Sequence, residues 1–173
     1  MLTMQDIQRT KVDLGVVKEG VVQAEKRLTD ALDTRKHLDQ KAFTLLGGYA
    51  TISMALFGVA ATKLDQSSQW FFIMLALGCM FFLGLVALFL ALKNSSYGTV
   101  GRYPDTWLQP GTLDGGETAL ATTLAYILHG YQGLIAVSDV SNGKKAFWLN
   151  VAILLGVASP GVFLLLLMLK YLF

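Results

Sequence analysis

The sequence predicts an all-α membrane protein with three transmembrane helices, a long N-terminal cytoplasmic helix of amphipathic, coiled-coil character, and a second cytoplasmic helix before the last span. Three observations carry that fold class. Of 173 residues, 54% are hydrophobic and 15% charged, and the mean hydropathy is +0.52, well above a soluble domain. Residues 42–62, 70–92 and 147–169 contain no Asp, Glu, Lys, Arg or His, and each reaches the roughly 20 residues that cross a hydrocarbon core. The string K-A-F-x-L occurs twice, as Lys41-Ala42-Phe43-Thr44-Leu45 and Lys145-Ala146-Phe147-Trp148-Leu149. Each copy stands where a polar helical pattern becomes an apolar run. Lysine among headgroups beside an aromatic ring at the hydrocarbon boundary suits a bilayer interface.

The first element, residues 1–41, has seven acidic and eight basic groups and no apolar run, hence no cleavable signal peptide. Ile7, Leu14, Val21 and Leu28 fill one heptad position, and Val17, Ala24, Ala31 and Leu38 the other. Alternating spacings of three and four predict a helix that packs on other helices. Two readings stay open: assembly between subunits through these residues, or an amphipathic helix packed on its own subunit. Ala42, Leu45, Tyr49, Ile52, Leu56 and Val59 continue the register into the first span, so one helix of about 55 residues is expected, weakened at Gly15 and Gly20.

The first span, 42–62, and the second, 70–92, form an antiparallel hairpin around a short outer loop, 63–69. Residues 93–146 then hold an irregular Gly-, Ser- and Pro-containing stretch and a helix over about 117–140, with Leu120, Leu124, Ile127, Tyr131 and Leu134 on one face. Ser141-Asn142-Gly143 reads as a turn. The third span, 147–169, leaves an outer C-terminus of residues 170–173. Residues 119–137 are apolar enough to be weighed as a fourth span, but Thr122, Thr123, His129 and Gln132 oppose this. With three spans and a cytoplasmic N-terminus, twelve of the fourteen Lys and Arg residues lie inside, only Lys63 and Lys170 outside.

No catalytic signature is visible, so the chain is not expected to be an enzyme; neither a cofactor nor a metal is implied. Cys79 is the only cysteine, and a net charge of +2 does not predict direct nucleic-acid binding. His37 reads as part of a solvated helix face. Gly48, Thr51, Ala55, Gly58 and Thr62 form a seam of small residues that permits close helix approach. Alternatively, Thr51, Ser53, Asn150 and Ser159 line a narrow aqueous path. Ser159-Pro160-Gly161 predicts a kink in the third span. A candidate ligand site combines Arg102, Lys144 and Lys145, able to hold phosphate, with Tyr97, Tyr103 and Trp107, able to stack on a base; the alternative is an interfacial belt with topogenic charges.

The stretch Asp39, Lys41, Ala42, Leu45, Leu46 and Gly47, read as D-x-K-A-x-x-L-L-G, together with Lys145-Ala146 before the last span, resembles the small transmembrane effectors of Pycsar anti-phage systems. It is also similar in layout to other small defence membrane proteins, including accessory proteins of RNA-guided systems. The resemblance implies a bacterial inner-membrane protein that responds to a cyclic nucleotide or a soluble protein partner, assembles as a homo-oligomer in membrane lipid, and impairs membrane integrity. A constitutive scaffold recruiting a soluble partner through its arm, or a holin-like protein, is the competing expectation.

Overall fold

The computed structural model describes residues 13–62, 69–93 and 116–172. They form three α-helices: α1 (Leu14–Ala61), α2 (Gln69–Lys93) and α3 (Gly116–Leu172). Each is long and apolar enough to cross a membrane, so the chain is an all-helical membrane protein with three candidate spans. Two compact units are present, one of Met1–Arg35 and Ser96–Asn142, the other of Lys36–Ser95 and Gly143–Phe173.

In the first unit, α1 begins at a side-chain cap. The Asp13 carboxylate accepts the backbone N–H groups of Gly15 and Val16 at 2.7 and 3.1 Å, satisfying two of the donors that a helix start leaves open. Val17, Ala24 and Leu28 are buried with Leu124, Ala125, Ile127 and Tyr131 of α3, and Leu14, Val21, Leu120 and Leu128 extend the contact. Gly20 has a structural use beyond its propensity cost, because a Cβ there would come within 2.9 Å of the Leu128 side chain. Polar groups border this core: the Tyr131 hydroxyl donates to Glu25 at 2.9 Å, and Arg27 pairs with Asp139 at 3.6 Å. Residues 119–137, weighed as a fourth span, thus lie against the charged segment of α1.

Of the two readings left open for the heptad stripe, packing on its own subunit is the one seen: residues 17–31 of it are covered within the chain. Val17, Ala24, Leu28 and Ala31 are buried, because an amphipathic stripe takes the nearest apolar face and α3 supplies one. Leu38 belongs to the second unit, half-buried against its core. Ile7 lies outside the described residues.

A correction concerns Ser141-Asn142-Gly143, which does not break the chain. α3 runs as one helix of 57 residues through it. Ser141 is buried, and the Asn142 side-chain amide donates to the Ala31 carbonyl at 2.8 Å. Side chains that favour turns when they bond their own backbone are here engaged across a helix pair.

In the second unit, α2 packs antiparallel to the apolar part of α1, with Phe57 over Gly78 and Tyr49 over Gly84. Ala42, Tyr49, Ala87, Leu88, Leu149 and Ala152 form its core. The heptad drifts here: Ser53 and Ala60 are buried, whereas Ile52 and Val59 are exposed. A straight helix advances about 20° per heptad past a strict seven-residue repeat, which carries the inward face one residue along.

Candidate functional site

Among the described residues, two constellations of polar side chains stand out in the second unit. One lies at the polar end of the spans. Lys145, from the second K-A-F-x-L string, is 2% exposed, and its ammonium pairs with the carboxylate of Asp39, which stands two residues before the first string. Ala42 and Leu149, the neighbours one turn along each helix, are buried, so the pair is roofed by apolar side chains on the membrane side. A buried ammonium is tolerable only beside an opposite charge. The two strings are thereby joined as a charge-paired clasp.

The other constellation is deeper. Tyr49 reaches from α1 between α2 and α3, and its hydroxyl donates to the Ala152 carbonyl at 2.6 Å. Its ring meets Phe81 edge-on, centroids 5.2 Å apart at 71°. The ring lies over Gly84 and the hydroxyl over Gly156, so closely that a Cβ at either glycine would collide with it. Gly84 and Gly156 are the slot, and Tyr49 is the key.

One turn beyond, Pro160 sits inside α3. Proline has no N–H, so the carbonyl four residues earlier, that of Gly156, loses its helix donor. The Ser159 hydroxyl donates to that carbonyl at 2.8 Å. The serine repairs what the proline removes, as a helix in hydrocarbon requires.

The residues expected to line a path do not converge. Ser53 and Ser159 are buried, whereas Thr51 and Asn150 are exposed. Thr51 and Ser53 stand about 200° apart around one helix, on opposite sides. Thr51 needs no water, because its hydroxyl donates to the Gly47 carbonyl at 2.9 Å. The Ser53 hydroxyl is buried without a hydrogen-bond partner. Gly48, Thr51, Ala55 and Gly58 are all exposed, and nothing lies within 4 Å of a Cβ placed at Gly48 or Gly58. The seam predicted for close approach exists, but it faces outward. Pro160 is exposed as well.

Of the candidate ligand residues, Tyr97, Arg102, Tyr103 and Trp107 lie outside the described residues. Lys144 is exposed and Lys145 is enclosed with Asp39, so adjacent lysines have opposite roles and Lys145 is withdrawn from any phosphate. His37 lies on an exposed face. No group of three His, Cys, Asp or Glu residues able to hold a metal occurs among the described residues.

Sequence reading missed the Tyr49 key and its two glycines. The available signal was a lone hydroxyl-bearing aromatic in an apolar run, on the same stripe as Ala42, with glycines in both other spans. Comparison of the chain with protein-family models, with curated proteins and with solved structures finds no match.

Proposed function

We propose that the protein is an oligomeric effector of the bacterial inner membrane that answers a cytoplasmic nucleotide or protein signal by assembling and making the membrane permeable. The N-terminus and residues 116–142 lie in the cytoplasm, and the C-terminus outside, as the lysine and arginine distribution argues. One observation carries the reading: the small-residue seam Gly48, Thr51, Ala55 and Gly58 is exposed, on a span whose own partners occupy another face. In hydrocarbon, such a seam is the surface that another helix approaches most closely. Resemblance to nucleotide-signalled defence effectors supplies the class of trigger.

A scaffold that recruits its partner through Leu14, Val21 and Leu28 has less support, because Leu28 is fully covered and the other two pack on the same core. Liposomes loaded with a self-quenched dye and carrying the protein should leak on addition of cyclic CMP or cyclic UMP. Ala55→Leu with Gly58→Leu should abolish both leakage and chemical cross-linking into oligomers. Dye retention with every cyclic mononucleotide overturns the nucleotide-triggered reading; leakage undiminished in the double variant overturns the seam.

A further inference from the structure

At the opposite end of the second unit from the Asp39–Lys145 pair, the first turn of α2 and the last turns of α3 enclose a groove of about 350 Å³. Its walls are Phe72, Ile73, Leu166 and Leu169, and two polar side chains, Gln69 and Lys170, complete the lining. Phe72 and Leu169 are 65% and 45% exposed, so the groove opens sideways, toward lipid. The Lys170 ammonium is held 3.9 Å from the centroid of the Trp70 ring, and among the described residues it pairs with no carboxylate.

We propose that this groove binds one anionic glycerophospholipid, with an acyl chain along Phe72, Ile73, Leu166 and Leu169 and the headgroup phosphate at Lys170 and Gln69. The occupant follows from complementarity. The walls offer only dispersion contact, which suits a hydrocarbon chain, while the lysine offers a cation and three N–H donors to an anion. Contact with the Trp70 face fixes the ammonium in place, so less freedom is lost when the phosphate arrives. A soluble anion would use the lysine and leave the apolar walls bare. A zwitterionic lipid would fill the walls but bring a cation of its own to the lysine.

Trp70 reports the occupancy directly. In a Trp107→Phe, Trp148→Phe chain, Trp70 is the sole tryptophan, and lipids brominated in the acyl chain quench it on contact. In vesicles of phosphatidylcholine, brominated phosphatidylglycerol should quench Trp70 as if enriched about fivefold over brominated phosphatidylcholine at equal fraction, the attraction of one lysine for an anionic headgroup. Lys170→Gln should bring the two lipids level while leaving helix content by circular dichroism unchanged, and Lys144→Gln should keep the preference. Equal quenching by both lipids in the parent chain, a preference that survives Lys170→Gln, or displacement of the lipid by inorganic phosphate would each overturn the site. Vesicles present lipid to both ends of the bundle, so the result is independent of orientation and of any triggered leakage.

Discussion

The two parts of α1 meet α3 by different means. Residues 14–35 bury Val17 and Leu28 beside two alanines, with Leu28 fully covered among Leu124, Ile127 and Tyr131, and they leave an ion pair at the margin. Residues 36–61 bury Ala42, Ser53 and Ala60, together with a tyrosine that fits against glycines of α2 and α3 and bonds a backbone carbonyl. The surroundings explain the contrast. Water drives leucine inward, whereas hydrocarbon is as apolar as leucine and leaves only close contact and hydrogen bonds to join helices. The first unit is assembled as a soluble helix pair would be, the second as a membrane bundle.

That contrast is broken most severely by cutting the soluble-type core. Leu28→Ala should cost about 3–5 kcal/mol of local stability, the transfer term plus an unfilled cavity. Amide exchange should accelerate over residues 17–32 while residues 42–60 stay protected; uniform protection would show that the pair does not depend on its leucine. Next in size is the clasp. Asp39→Ala should cost about 2 kcal/mol, less than the loss of a fully enclosed partner because the Asp39 side chain is 30% exposed. Adding Lys145→Met should restore most of that loss in thermal unfolding in detergent, and a double variant no better than the single one would refute charge burial as the cause. The smallest effect belongs to the membrane-type contact. Tyr49→Phe keeps the ring and removes one hydrogen bond, for about 0.6 kcal/mol and no more than about 1.7. A larger loss in reversible unfolding in bicelles would mean that the hydroxyl does more than bond Ala152.

Much of this was legible in the sequence. The three apolar runs became three helices, and the stripes Val17–Ala24–Leu28 and Leu124–Ile127–Tyr131 were readable from their spacing. What covers a stripe is not a property of its period, so Val17, Ala24 and Leu28 could equally have met another subunit or α3. The joint at Ser141-Asn142-Gly143 was misread because local turn preference is weak beside a cross-helix bond to Ala31. The Asp39–Lys145 pair escaped notice because its members are 106 residues apart, and nothing in one sequence couples them. Tyr49 was legible as a stripe member but not as a key, since its slot is formed by two glycines on different helices.

The Asp39–Lys145 pair also bears on how the chain is made. Asp39 precedes its partner by 106 residues in the chain, so the pair closes only once both α1 and α3 have been made. Only a chain whose first and last spans start from the same face of the bilayer can bring the two residues together. An inverted last span would leave a carboxylate and an ammonium on opposite faces, with no route to each other. Closure of the pair therefore requires that α1 and α3 enter the bilayer from one face, so a single ion pair ties the fold of the second unit to the direction of two spans.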